Sequence, residues 1–289
     1  MIDLHIHTTY SDGTSSVEEI LKMCEQKKLE YISITDHDTC KQYTDKAFDK
    51  LIFSGQVIKG SELHAIFQNK CIEILAYDID INIINEWLEK YYSEEKLREC
   101  QFISRERMFE IFDKNGIIYD RNKTSMPESP TAFVEKPIYL EAMEYKENIE
   151  KFGIYAESFK NFYRKGLTTP ESTFFMKQSD FKPQYKEVID IIHKAGGKAF
   201  LAHPFEYKLD DTINFIDSLM NESRLDGIEC YHPSEEEDNN IEILIDYTKK
   251  NNLFISGGSD FHGTRKKGIE VGIGKGTLKI PKNIVEEWK

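Results

Sequence analysis

Met1-Ile-Asp-Leu-His-Ile-His-Thr-Thr-Tyr-Ser-Asp12 decides how the rest of the chain is read. Residues 3–6 have the short apolar pattern of a buried strand. On a strand, residues two apart face the same way, so His5 and His7 leave the strand end side by side. A carboxylate, Asp12, follows in the next loop. Neutral imidazole and carboxylate are the usual ligands of zinc, manganese and iron at neutral pH. At this point the alternative is a pair of edge histidines that only pack or meet water.

The same placement recurs along the chain. Further strands are expected at 31–35, 56–60, 72–77, 198–202, 226–230 and 253–256, each a short apolar run between turn signals. Their ends carry Asp36-His37-Asp38, Ser61-Glu62, His203-Pro204, His232, and Asp260 with His262. Strands alternating with helical segments predict an α/β fold, a distorted (β/α)7 barrel of parallel strands. In such a barrel the C-terminal strand ends meet at one face, where chemistry is done. Two histidines fall outside this pattern. His193 lies in a helix and is expected to be ordinary surface. His64, in a hairpin excursion at 64–70, is expected to lie away from the site.

Ser15-Ser-Val-Glu18 and Ser16-Val-Glu-Glu19 are both capping-box patterns, and they predict an amphipathic helix over 17–28 with Ile20, Leu21 and Cys24 inward. A second helix is expected from the Asp36-His37-Asp38 turn to about residue 54, and others over 184–194, 212–221 and 240–251. Between 82 and 182 the texture becomes helical, aromatic and charged, without a histidine. One or two helices are expected over 86–115, stopped by Asn115-Gly116, and helical pattern resumes over 137–165. The organisation predicted is a barrel from 1–81 and 183–289, with 82–182 as a helical insertion after the fourth strand.

Composition narrows the function classes. Hydrophobic residues make up 39% of the 289 and charged residues 31%, as in a globular chain. The formal net charge of −13 argues against a broad basic face for extended DNA. A small phosphate ester remains open, because bound divalent cations reverse the local sign. No apolar run approaches the roughly 18 residues of a membrane helix. The start lacks a basic segment and an apolar signal core, so a cytoplasmic protein is expected. Five cysteines without a C-x-x-C pair fit reduced thiols. The run from Ser234 to Asp238 is expected to be a solvated acidic loop.

The motifs His5-Ile-His7, Ser11-Asp-Gly-Thr14, Ile34-Thr-Asp-His-Asp-Thr39, Gly60-Ser-Glu-Leu63, Leu201-Ala-His-Pro204 and Gly258-Ser-Asp-Phe-His-Gly263 together resemble the polymerase-and-histidinol-phosphatase (PHP) superfamily. The resemblance is to its TrpH-like, nucleoside-phosphate phosphoesterase branch, and order and spacing agree along essentially the whole chain. It implies a distorted seven-stranded barrel holding two or three divalent ions (manganese, iron or zinc, with magnesium as an option). Carried over by position, His5, His7, Glu62 and Asp260 would hold one ion. Glu62 would be shared with a second, which also takes His203. Asp12, His37 and His262 would hold a third. Members of this branch hydrolyse AMP or nucleoside 3',5'-bisphosphates, and some trim short RNA from its 5' end.

The sequence departs from the family pattern twice. Where the family's I-H-I-L-G-Y gives the second ion a histidine, this chain has Ile72-Glu73-Ile74. Glu73 can still ligate, and an oxygen donor favours a harder ion such as manganese or magnesium. The family's R-P-H in the insertion becomes Ser129-Pro130-Thr131. An arginine suits phosphate through its fork of donors, so its loss leaves the substrate class open. Arg265, Lys266 and Lys267 are the replacements the sequence offers, with a solvated basic loop as the alternative.

The chemistry expected is hydrolysis of a small phosphorylated metabolite, a nucleotide first of all, by a metal-bridged hydroxide. Two ions about 3.5–4 Å apart supply the nucleophile and relieve phosphoryl charge. Glu62 is placed to bridge them, Asp260 to orient the nucleophile as well as bind metal, and His232 to protonate the leaving group. The competing readings are a metallohydrolase acting on another bond and a metal- or nucleotide-binding protein with lost catalysis. Short RNA is a further partner class. The sequence does not assign an oligomeric state.

Overall fold

Strand β1 (Ile2–Ile6) is buried along its whole length. It pairs in parallel with β2 (Tyr31–Ile34), and β2 pairs in parallel with the two-residue β3 (Gln56–Val57). A second sheet runs in the order β4 (Gly60–Phe67), β5 (Lys70–Tyr77), β6 (Lys198–Leu201), β7 (Gly227–Tyr231) and β8 (Phe254–Gly257). Parallel bridges between Ile6 and Phe261, and between His37 and Glu62, bring the ends of the first sheet beside the second. The computed structural model describes residues 1–177, 181–236 and 239–289.

The sheet is mixed, which corrects the expectation of parallel strands throughout. β5 runs antiparallel to β6, while β6, β7 and β8 are parallel. The cause lies in Gln68 and Asn69, whose φ values are +49° and +64°. Two left-handed residues form the tight turn that best matches strand twist, so β4 and β5 make a long hairpin. Glu62 is consequently the third residue of β4 and Glu73 the fourth of β5, and neither stands at a strand end.

The chain divides into two compact units. The first comprises Met1–Phe67, Ile72–Leu88 and Gln184–Lys289; the second comprises Gln68–Cys71 and Glu89–Pro183. In the first, α1 (Val17–Gln26) begins at Ser16, whose hydroxyl accepts from the Glu19 N–H while the Glu19 carboxylate accepts from the Ser16 N–H at 2.7 Å. Its buried side chains Val17, Ile20, Leu21 and Cys24 pack on Ile6, Ile32 and Ile34. Each fully buried aliphatic side chain contributes about 1.5–3 kcal/mol.

The helix expected up to residue 54 is absent. Two 3₁₀ turns, Lys41–Thr44 and Lys46–Lys50, stand in its place. Asp45 is extended and caps the second turn through the Ala47 N–H, which breaks any continuous helix. Gln42 and Tyr43 meanwhile donate to the backbone carbonyl of Ile34, tying the turns to the end of β2.

Helix α2 (Ile81–Tyr92) is followed in the second unit by α3 (Glu94–Lys114), α4 (Glu135–Ala142), α5 (Glu147–Phe152) and the short α6 (Phe159–Asn161). The break before α3 falls at Ser93, whose hydroxyl accepts from the Lys96 N–H. The continuous pattern expected over 137–165 is interrupted by Gly153, at φ +52°, and by the extended Ser158. A π-helical turn, Phe162–Leu167, follows. The core of this unit is aromatic: Phe109, Phe112, Phe152, Phe162 and Phe174 are buried, and Phe152 meets Phe162 edge-on at 5.3 Å.

In the first unit α7 (Tyr185–Lys194), α8 (Thr212–Glu222), α9 (Asn240–Asn251) and α10 (Asn283–Glu286) complete the chain. A second core joins Ile2, Leu4, Leu75, Tyr77, Phe200 and Trp288. The Tyr77 hydroxyl donates to the Leu4 carbonyl at 3.0 Å from inside it. The acidic run after Ser234 is not simply solvated, for Glu235 is fully buried; Glu237 and Asp238 lie outside the described residues. Among the described residues no helix is long and apolar enough to cross a membrane.

Candidate metal centre

The extended chain places His5 on β1 and His7 just past its end side by side, with their Nε2 atoms 3.0 Å apart. His5 Nδ1 lies 2.9 Å from Glu229 Oε1 on β7. A carboxylate only accepts, so Nδ1 carries a hydrogen and Nε2 is the ring atom turned inward, the one a neutral ring would offer to a cation. The other Glu229 oxygen accepts the His203 N–H at 3.0 Å.

Glu62 stands at the middle of the cluster. Its Oε2 is 3.1 Å from His5 Nε2, 3.2 Å from His7 Nε2 and 3.2 Å from His37 Nδ1. Its Oε1 is 3.0 Å from His203 Nε2. Asp260 Oδ1 is 3.4 Å from His7 Nε2 and 3.6 Å from His5 Nε2, while Oδ2 is 3.2 Å from His232 Nε2. Asp12 Oδ1 lies 3.0 Å from His262 Nε2 and 3.8 Å from both His7 Nδ1 and His37 Nε2. Glu73 Oε2 lies 3.4 Å from His203 Nε2. The Tyr207 hydroxyl fixes β5 there, accepting from the Glu73 N–H and donating to the Ala202 carbonyl.

The surrounding chain is built to permit this. Asp36 accepts from the Thr8 N–H and from the Thr8 and Ser11 hydroxyls, which folds the loop that carries Asp12. Gly258 lies so close to β1 that a Cβ there would stand 2.3 Å from the His5 nitrogen. Asp38, His203 and Asp260 all adopt positive φ, at +50°, +25° and +53°. Sparsely populated backbone of this kind costs about 1–3 kcal/mol per residue and gathers at functional sites.

The residues present fit divalent cations. Two donors each about 2.1 Å from one ion stand roughly 3.0–3.4 Å apart at octahedral to tetrahedral angles. The pairs His5–His7, His7–Glu62, Glu62–His203 and His203–Glu73 show that spacing. Donor atoms gather within 4.8 Å in the groups His5/His7/Asp260, His5/Glu62/His203 and His7/Asp12/His37/His262. Among the described residues, buried His7 Nδ1 and His203 Nδ1 have no hydrogen-bond partner.

Electrostatics point the same way. Burial opposes ionisation of Glu62, yet His5 and His37 hold its carboxyl well below the usual range. Burial likewise opposes ionisation of Asp260, and His5, His232 and His262 hold it low. Burial pushes His203 down, but its hydrogen bond to Glu62 and the Glu73 charge outweigh this and raise it to about 10. The buried carboxylates are therefore anionic and demand positive charge around them.

The remaining predicted residues fall as follows. Arg265 is 58% exposed and donates to the Asp12 carbonyl at 3.0 Å, with its guanidinium 3.3 Å from Asp12 Oδ2. The Lys266 ammonium pairs with Asp260 Oδ2, and Lys267 is exposed. His232, Asp260 and Lys266 line a cavity of about 650 Å³ together with Lys208, Ser259 and Lys275. Ser129, Pro130 and Thr131 lie in the second unit, where Gln101 donates to the Ser129 carbonyl. His193 is half-exposed and 2.7 Å from Asp226.

Sequence reasoning missed two members of this cluster. Glu229 was legible only as a charge inside an otherwise apolar strand. His64 was set aside, yet its Nε2 lies 3.3 Å from Glu73 Oε1 and its ring stacks on His37 at 5.1 Å. The rule that pairs His5 with His7 also pairs Glu62 with His64 on one strand face.

The family model of the PHP domain matches residues 3–234, and the chain belongs to that family. Over 269 residues it is 27% identical to the 5'-3' exoribonuclease Rnm of Escherichia coli (strain K12), an alignment covering 90% of this chain and 84% of that protein. It is 21% identical over 276 residues to the 3',5'-nucleoside bisphosphate phosphatase of Chromobacterium violaceum, covering 94% and 90%. The crystal structure of a metal-dependent phosphoesterase from Bifidobacterium adolescentis superposes with a TM-score of 0.64 at 21% identity, covering 99% of this chain and 94% of that one. That likeness establishes a shared α/β fold.

Proposed function

We propose that this chain is a metal-dependent phosphoesterase on a distorted (β/α)7 barrel, acting on a nucleotide or the 5' end of a short RNA. One observation carries the reading: the Glu62 carboxylate is approached within 3.2 Å by imidazoles of His5, His7, His37 and His203. The relatives named as an exoribonuclease and a bisphosphate phosphatase support a nucleotide-type substrate.

His5, His7, Glu62 and Asp260 would hold one divalent ion, Glu62, His203 and Glu73 a second, and Asp12, His37 and His262 a third. When bound, such ions supply a nucleophile at neutral pH and relieve charge on the phosphoryl oxygens. The chain's own residues do the rest. Glu229 keeps His5 Nε2 turned inward. Asp260, held by His232 and Lys266, orients the attacking group. His232 is buried at the cavity wall with Ser234 on its Nδ1 at 2.6 Å, and holds a proton for the leaving oxygen at Nε2. Lys208, Lys266 and Lys275 line the cavity and meet phosphate charge.

The test is a manganese-supplemented screen against nucleoside monophosphates, nucleoside 3',5'-bisphosphates and 5'-phosphorylated short RNA, with N-acyl substrates alongside. Release of phosphate or mononucleotide that a chelator abolishes is the expected result. No turnover of any phosphate ester, or turnover of N-acyl substrates alone, would overturn the proposal.

A further inference from the structure

We propose that His64 is a metal ligand, completing with Glu62, Glu73 and His203 the coordination of one divalent cation. This rests on the phosphoesterase reading above and adds to it a ligand that the chain's motifs do not supply.

The geometry begins with Asp38. Its Oδ1 accepts the His64 backbone N–H at 2.9 Å, and its Oδ2 lies 2.5 Å from His64 Nδ1. A carboxylate can only accept, so Nδ1 carries a hydrogen, and Nε2 is the ring atom left to meet a cation. This is the carboxylate–histidine arrangement that orients metal-bound imidazoles. Asp38 reaches both atoms from a left-handed backbone, φ +50°, a conformation aspartate tolerates better than most residues.

His64 Nε2 faces an anion. Glu73 Oε1 is 3.3 Å away, and the other Glu73 oxygen is 3.4 Å from His203 Nε2. Two acceptors facing each other at that distance repel unless a cation or a proton lies between them, and a divalent ion bound there takes the proton's place. Both separations match the edge of a coordination shell with bonds of about 2.1 Å. Glu73 thus joins His64 on one side to His203 on the other, and His203 Nε2 is 3.0 Å from Glu62 Oε1. The three donor atoms of His37, His64 and Glu73 lie within 4.8 Å of one another. Nitrogen from two imidazoles with oxygen from two carboxylates suits manganese, iron or zinc.

The experiment loads the full chain with Co²⁺ and follows visible absorption and ions bound per chain, beside Mn²⁺ equilibrium dialysis. His64→Ala is expected to weaken one ion by about ten- to a hundredfold and to change the cobalt bands. His64→Gln keeps a hydrogen-bonding group toward Glu73 but supplies a poor ligand, and is expected to behave the same way. His193→Ala is the control and should leave both readouts unchanged. Circular dichroism establishes that each variant is folded; should the alanine variant not fold, the glutamine variant decides. Bands and affinity that persist in His64→Gln would mean that His64 only orients Glu73, and the proposal would fall while the phosphoesterase reading stood. A wild-type chain that binds no divalent ion would overturn both.

Discussion

Glu229 underpins His5: its Oε1 lies 2.9 Å from His5 Nδ1, and its Oε2 accepts the His203 backbone N–H. One fully buried carboxylate therefore fixes a ring on β1 and the main chain just beyond β6. Burial would favour its neutral form, but His5 and His232 hold its carboxyl below the usual range. Glu229→Gln keeps the shape and removes the charge. The variant is expected to bind its tightest ion about 10–100-fold more weakly. Metal analysis after equilibrium dialysis reads this directly, and full occupancy at wild-type affinity would show that Glu229 is only a packing residue.

His5→Ala and Asp260→Ala should each lower phosphoesterase turnover by at least about a thousandfold, since loss of an ion removes several kcal/mol of transition-state stabilisation. Both side chains are buried in the polar cluster and belong to neither apolar core of the first unit. Urea unfolding should accordingly remain a single cooperative step. Activity within tenfold of wild type in either variant would place the chemistry elsewhere.

What could be read from the sequence follows from which rules are local. The pairing of His5 with His7 needs only strand periodicity, and the capping box at Ser16 needs only a few residues. Those features survive intact in the structure. The two 3₁₀ turns after β2 were not legible, because they depend on Gln42 and Tyr43 reaching backbone carbonyls of the strand. The β4–β5 hairpin was underestimated because Gln68-Asn69 is a weak turn signal without a glycine. His64 was misplaced for the same reason: only a long β4 carries the alternation past Glu62. Glu229 could be noticed as a charge in an apolar strand, but its contact with His5 joins residues 224 positions apart.

Asp3 ties β1 to the segments that follow β8. It is fully buried and accepts from the Ser259 N–H at 2.8 Å, the Ser259 hydroxyl at 2.6 Å and the Gly272 N–H at 2.6 Å. Asp3→Ala removes this acceptor from the buried N–H groups of His5, Ser259 and Gly272, and an unsatisfied buried donor costs about 1–3 kcal/mol. A loss of roughly 2–4 kcal/mol in unfolding free energy is expected from denaturant titration. A loss under about 0.5 kcal/mol would mean that water replaces the carboxylate without strain.

Glu235 predicts a pH dependence that can be separated from the metal centre. Its side chain is fully buried, accepting from the Phe205 N–H at 3.2 Å and the Ser234 hydroxyl at 3.1 Å. Burial pushes its carboxyl up from 4.5 to about 7, more than those hydrogen bonds lower it. A folded-state value above the unfolded one means that the folded chain retains the proton more tightly. Below pH 4.5 the neutral acid is present in both states and its stability contribution is complete. Between 4.5 and 7 the unfolded chain ionises first and that contribution is lost, reaching on the order of 3 kcal/mol by pH 8. Glu235→Gln cannot ionise and retains an acceptor oxygen for Phe205. The variant should therefore gain stability relative to wild type as pH rises from 5 to 8. Urea titrations of both proteins in chelator, taken as a difference at each pH, cancel the groups they share. A difference independent of pH would show that Glu235 is already ionised in the folded chain at pH 5.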